Sequence, residues 1–197
     1  MKRTSLFLLI LTLAAFSLTR GCGKTERKPA LSSDYPVKPV PFTQVKLTDC
    51  FWAPRLETNR TKSIPYAFRM NEETGRVDNF RKAARLVPGP HKGKRYNDSD
   101  VFKSMEAAAY TLLLRKDPEL EKKLDELIKV IGKAQEPDGY LYMARTIDPA
   151  NPAPGAGGER WSNLRVSHEL YNVGHMYEAA VFMRSRTFGD LVGRFLI

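Results

Sequence analysis

Between Val101 and Arg115 apolar residues fall at 101, 102, 105, 108, 109, 112 and 113. That is the i, i+3, i+4, i+7 recurrence of a helix with one buried face. DPELEKKLDELIKVIGKAQ (117–135) repeats it at Leu120, Leu124, Leu127, Ile128 and Ile131. Asp98 to Asp100 are expected to supply the N-cap and acidic first turn of the first helix. Asp117 followed by Pro118 opens the second. About two residues join them, which predicts an antiparallel hairpin. Upstream, Phe42, Val45 and Leu47 of FTQVKLTDCFW (42–52) alternate with polar residues and predict one short strand. Residues 56–73 read as a helix with Pro65 marking a start or kink, ended by Gly75. Residues 75–87 form a second short segment, and the prolines and glycines of 88–98 a loop. A Pro137-Asp138-Gly139 turn and a long loop over 149–161 precede a last helix over 163–183. Periodicity supports an all-α class. Paired helices joined by long loops further suggest an α/α toroid.

The first 22 residues read as a targeting segment outside this domain. Lys2 and Arg3 precede the apolar run LFLLILTLAAFSL (6–18), which is too short for a comfortable membrane span. Gly21-Cys22 resembles the processing point of a bacterial lipoprotein, with Cys22 taking the lipid; this implies a membrane anchor and a cell-envelope location, with plain secretion as the alternative. Residues 23–41, rich in Lys, Pro and Ser, read as a flexible tether. Of the two cysteines, this leaves Cys50 unpaired, and it is read as a small buried hydrophobe beside Phe51 and Trp52. Removing Lys2, Arg3 and Arg20 takes the net charge from +10 to about +7. The basic residues alternate with acids and no basic run carries interleaved aromatics, which argues against a nucleic-acid partner.

RVSHELYNVGHMYEAA (165–180) holds two of the three histidines. On a continuous helix His168 and His175 lie within about 20° of one another and about 10.5 Å apart along the axis. One zinc ion, with bonds of about 2.0–2.1 Å, does not readily take both. HExxH is also absent, so no metal site is expected here. Leu170, Val173, Tyr177 and Val181 are expected to form the core stripe of this helix. The histidine face, with Tyr171, Asn172 and Glu178, is then either solvated or a cavity wall. Tyr96-Asn97-Asp98-Ser99-Asp100, Asp138-Gly139-Tyr140-Leu141 and Trp161-Ser162-Asn163 add the mixture of flat apolar faces and hydroxyl-binding groups that sugar sites use. Each also has a plain role as cap, turn or anchor.

Four blocks, RMNEETGRVDNFRKAA, NDSDVFKSMEAAAY, KLDELIKVIGKAQEPDGYL and RWSNLRVSHELYNVGHMYEAAV, resemble glycoside hydrolase family 127 in order and spacing. The resemblance covers about 51–181. It implies a partial (α/α)6 barrel over 42–197 and an enzyme that releases non-reducing terminal β-L-arabinofuranose from plant-type oligosaccharide or polysaccharide. The family's chemistry uses a zinc-bound cysteine thiolate and a glutamic acid. Those residues map to no position here, so the chain is expected to hold no zinc ligands and no catalytic residue. By the same resemblance His168 corresponds to a histidine that contacts the sugar, and Asn79, Asp100 and His175 are further substrate-binding candidates. After Val181 the sequence departs from the family pattern, and the chain is expected to be a truncated, inactive and poorly stable N-terminal part. Two alternatives remain. One is a related (α/α) barrel acting on uronic-acid glycans, with Arg81, Arg160 and Arg165 as candidate basic residues. The other is a non-catalytic, glycan- or partner-binding envelope lipoprotein.

Overall fold

The computed structural model describes residues 37–183, and the compact body begins at Pro41. The export signal, Cys22, most of the 23–41 tether and the segment beyond Met183 lie outside the described residues.

The described body is helical and contains no strand. The strand expected near 42–52 is absent: Phe42–Gln44 form one 3-10 turn, and Val45 and Leu47 stay exposed. Alternation alone does not make a strand, because an unpaired strand leaves its backbone groups without partners. The Asp49 carboxylate instead accepts from the Phe51 and Trp52 N–H groups and opens α1, Trp52–Thr58. Cys50 is exposed, a correction to its reading as a buried hydrophobe. Phe51 and Trp52 pack edge to face with each other at 4.9 Å, but both are exposed as well.

A π-helical turn, Asn59–Ser63, leads into α2, Ile64–Glu73. Pro65 lies within the first turn of α2 and has no N–H to give back to the preceding turn, which accounts for the widened ladder there. Gly75 at φ 79° then turns the chain into α3, Arg76–Ala83. The expected hairpin is present: α4, Asp98–Leu114, is followed closely by α5, Pro118–Ala134. The Asp117 carboxylate accepts from Leu120 N at 3.1 Å and caps α5. Two short helices, α6 (Met143–Thr146) and α7 (Leu164–Ser167), precede α8, Glu169–Met183.

The core is built around α4. Val101, Phe102, Met105, Ala108 and Ala109 meet Phe68 of α2, Val77 and Phe80 of α3, Leu124, Leu127, Ile128 and Ile131 of α5, and Met176, Ala179 and Ala180 of α8. Phe80 and Phe102 pack edge to face at 5.6 Å. Ser99 pairs with Asn172, Lys103 with Tyr171, and Glu106 approaches His175 and Glu178, so α4 and α8 run parallel.

The last helix is phased differently from its hydrophobic pattern. It breaks at His168, φ 63°, so α7 and α8 are separate. The buried face of α8 carries Glu169, Asn172, Met176, Ala179 and Ala180, while Leu170 and Val181 are 60% and 64% exposed. The expected core stripe is therefore corrected at Leu170 and Val181, while Tyr177 does pack against the core. Glu169 and Asn172 find interior hydrogen-bond partners, which offsets the cost of burying polar groups. The small alanines let α8 lie close to α4.

Candidate functional site

Four loops converge on the N-terminal ends of α4 and α8. Asn172 ties two of them: its Oδ1 accepts from Ser99 N at 3.1 Å and its Nδ2 donates to Arg95 O at 3.2 Å. The Arg95 side chain donates to Val166 O, and the Tyr142 hydroxyl to Ser167 O. Glu169, fully buried, holds the others: it accepts from Tyr140 Oη at 2.6 Å, Ser167 Oγ at 2.9 Å and Trp161 N at 3.1 Å. Burial and the neighbouring Glu169 carboxylate hold the Tyr140 phenol above its ordinary range, so it stays a donor.

His168 sits at the centre of this arrangement. Its left-handed backbone turns the chain between α7 and α8. Nδ1 lies 2.7 Å from Val166 O. A carbonyl only accepts, so the proton is on Nδ1, and neutral His168 carries its free lone pair on Nε2. The ring is flanked by Tyr96 at 5.0 Å and Tyr171 at 5.7 Å, and Tyr171 meets His175 at 4.6 Å. Tyr96, His168, Tyr171 and His175 thus form a row of rings, three of them from α8 and the turn that opens it. Lys103 donates to the Tyr171 hydroxyl at 2.5 Å and pulls that phenol below its usual range. The result is an aromatic wall that presents an acceptor nitrogen and a cation, a combination that orients hydroxylated ligands.

The other expected site residues divide. Asp100 lies at the same end, but its carboxylate is paired with Arg76 Nε at 2.7 Å. His175 is in the ring row, with Nδ1 donating to Glu178 Oε2 at 3.0 Å. Asn79 is fully buried: Nδ2 donates to Lys92 O at 2.8 Å and Oδ1 accepts from Lys92 N at 2.9 Å. Both halves of its amide thus clamp the 88–97 loop. Asn79→Ala leaves both Lys92 backbone groups without this partner. It is expected to cost about 1–3 kcal/mol and to open the 88–97 loop, checked by faster amide exchange at Lys92.

Sequence reasoning missed three features here. Asp98 is not an exposed cap: it is buried, accepts from Met143 N at 2.9 Å through Oδ2, and its Oδ1 has no partner among the described residues. Burial pushes its carboxyl up to about 7, against the lowering effect of that backbone bond. Glu169 was not singled out, although a carboxylate between His168 and the apolar Leu170 was the available signal. Glu106 of α4 also joins His175 and Glu178, with donor atoms within 4.8 Å of one another. A Glu-His-Glu set of this kind suits a divalent ion chemically, yet Glu178 is exposed. Burial and the adjacent Glu178 carboxylate raise the Glu106 pKa. Arg81 is bound by Glu72 and Asp78, and Arg160 by Glu136 and Asp138, while Arg165 is exposed, so these three do not converge.

Residues 44–190 match the family described as "Beta-L-arabinofuranosidase, GH127 catalytic domain". The non-reducing end β-L-arabinofuranosidase of Bifidobacterium longum subsp. longum is 33% identical over 156 residues, which is 70% of this chain and 23% of that protein. Among solved structures, the GH127 β-arabinofuranosidase BT3674 is 46% identical with a TM-score of 0.76, over 82% of this chain and 26% of that one. The GH127 β-L-arabinofuranosidase Ara127N-Se from Geobacillus stearothermophilus T6 is 39% identical with a TM-score of 0.68, over 76% and 24% respectively. The chain thus spans about a quarter of the length of the relatives it matches.

Proposed function

Because this chain belongs to the glycoside hydrolase family 127 catalytic-domain family, we propose that it forms the His168-bearing wall of a glycosidase that acts on terminal β-L-arabinofuranose of plant-type glycans. In this reading the helices 52–183 are the first hairpins of an (α/α)6 barrel. The parallel pair α4 and α8 supplies inner-wall helices, and their N-terminal ends face the sugar. The observation that carries the proposal is the fixed tautomer of His168. Val166 O holds the proton on Nδ1, which leaves Nε2 to accept from a sugar hydroxyl while Tyr96 and Tyr171 flank the ring. Asp100 and His175 support this wall through Arg76 and Glu178. The same proposal keeps the basic-apolar-Cys22 start as an export signal with a lipid anchor, which places the protein at the cell envelope.

The chemistry implied by the family uses zinc held by cysteine. The chain has two cysteines. Cys50 is exposed, and no second thiol lies among the described residues. A thiolate zinc centre does not fit these residues, and no catalytic step is derived through one. What the chain's own residues do is bind and orient.

The test is calorimetric titration of the chain with an oligosaccharide ending in β-L-arabinofuranose. Saturable binding that weakens about tenfold or more in His168→Ala is expected, in line with the loss of one or two buried hydrogen bonds. Equal affinity in the two proteins would remove His168 from the site. His168→Gly is the companion variant: it relieves the left-handed backbone and loses the ring, so weakened binding by a folded Gly variant separates ring from backbone.

A further inference from the structure

A second cleft opens beside this wall. It has a volume of about 890 Å³ and is walled by the 85–95 and 144–154 loops, within the ~300–1,000 Å³ of small-ligand pockets. Arg85, Lys94 and Arg95 line it, and so does one acid, Asp148. The charges do not cancel. Asp148 is engaged by Asn151, whose backbone N and Nδ2 each donate to it at 3.2 Å. Arg60, Arg69, Arg76, Arg81, Arg115 and Arg160 all have acidic partners. Arg85, Lys94 and Arg95 have none among the described residues. Lys82 adds a further cation nearby, donating to Pro90 O and depressing the basicity of half-buried His91 after burial itself.

The cations are also held in place. Arg85 is in the left-handed region at φ 58°, uncommon for a residue with a Cβ. Its Nη1 donates to Ile147 O at 2.9 Å, leaving other guanidinium donors over. Arg95 is oriented by Val166 O. Gly155 makes room for it, since a Cβ there would come within 3.2 Å of the arginine side chain. Facing these cations are Ala144, Ile147, Pro149, Pro152 and Pro154, a stiff apolar wall that suits the C–H face of a sugar ring.

We propose that this cleft is an anionic subsite that takes a carboxylate-bearing sugar, a uronic acid residue of the bound glycan. The cations bind the carboxylate and the proline wall takes the ring. The sugar class rests on the glycosidase reading above, and the charge does not. Arg95 joins the two regions, since it lines this cleft, its side chain reaches Val166 O and the ring of its neighbour Tyr96 packs against His168.

The experiment is isothermal titration of the full chain with digalacturonate, with neutral galactobiose and with inorganic phosphate. Digalacturonate is expected to bind saturably, at least tenfold tighter than galactobiose, and to weaken with added salt. Lys94→Gln should weaken it several-fold, and Arg85→Gln combined with Lys94→Gln by tenfold or more. The Lys94 side chain makes no hydrogen bond within the described chain, so its variant reads the site even if loss of the Arg85 bond to Ile147 O impairs folding. Absent digalacturonate binding, equal affinity for galactobiose, or unchanged binding by Lys94→Gln would each overturn the proposal. Phosphate binding as tight as digalacturonate would leave a bare anion site and overturn the sugar-acid assignment. His168→Ala separates the two readings, because it should lose arabinofuranoside binding and keep digalacturonate binding. If the arabinofuranoside arm fails and the digalacturonate arm succeeds, the glycosidase reading falls and the subsite stands.

Discussion

Glu169→Ala is expected to lower stability by about 2–6 kcal/mol, because two buried hydroxyls lose their acceptor. Tyr140 Oη, Ser167 Oγ and Trp161 N all donate to this carboxylate. Its removal strands two buried hydroxyls at about 1–3 kcal/mol each. It also releases the 3.1 Å bond that holds Trp161 in its left-handed backbone. The edge-to-face contact of Trp161 with Tyr140, 5.4 Å between rings, depends on the same anchor. Tryptophan fluorescence should therefore shift along with the midpoint of urea unfolding. Glu169→Gln keeps one acceptor oxygen but turns an amide NH₂ toward three donors, so its loss should fall between wild type and alanine. If both variants unfold within about 1 kcal/mol of wild type, the surface-substitution range, Glu169 is not the hub described.

That hub shows where sequence reading reached its limit. The α4–α5 hairpin was legible because each helix has one apolar face, a capping acid and a short connection. Gly75 and Pro65 were legible because backbone geometry restricts them. The break at His168 was not, since no glycine or proline marks it and SHELYNVGHMYEAA reads as one uninterrupted helix. The resulting phase error put Leu170 and Val181 in the core and left out Glu169 and Asn172. Hydrophobic pattern assumes that apolar residues compete best for burial. In α8 two polar residues are buried because loops from four parts of the chain bring donors to them, and such long-range partners are invisible in local sequence. The settings of Asn79 and Cys50 were equally hidden from local pattern. Asn79 is defined by Lys92, 13 residues away, and Cys50 by the absence of a packed neighbour. The resemblance singled out His168 as a sugar contact, and the structure sets that residue between the rings of Tyr96 and Tyr171. Its acceptor nitrogen became legible only when Val166 O fixed the tautomer.

Asp98 provides the other large effect, a stability that falls as pH rises toward neutrality. It stands at the N-terminus of α4, where the helix dipole favours an anion, and it accepts from Met143 N. Burial outweighs both and raises its pKa from 3.8 to about 7. Between those values the folded protein holds a proton that the unfolded chain has released. Stability therefore declines as pH rises from about 4 and is lowest above about 7. Roughly three pH units at about 1.4 kcal/mol each gives an effect of about 4 kcal/mol. His91 acts in the opposite direction: burial lowers its pKa, so acid below about pH 6.5 favours the unfolded state. The informative quantity is therefore the difference between wild type and Asp98→Asn, in which the histidine contribution cancels. The carboxamide oxygen of that variant can keep the bond to Met143 N while the charge is removed. Asp98→Asn should be more stable than wild type by about 4 kcal/mol at pH 8 and by less than about 2 kcal/mol at pH 5. Urea unfolding of both proteins across that interval decides it. Parallel stability curves would mean that Asp98 does not titrate there, and that water or an ion reaches the Oδ1 atom left unpartnered among the described residues. Converging curves would show that the protein keeps a costly buried carboxylate at the base of its loop-built site, where asparagine would fold more stably.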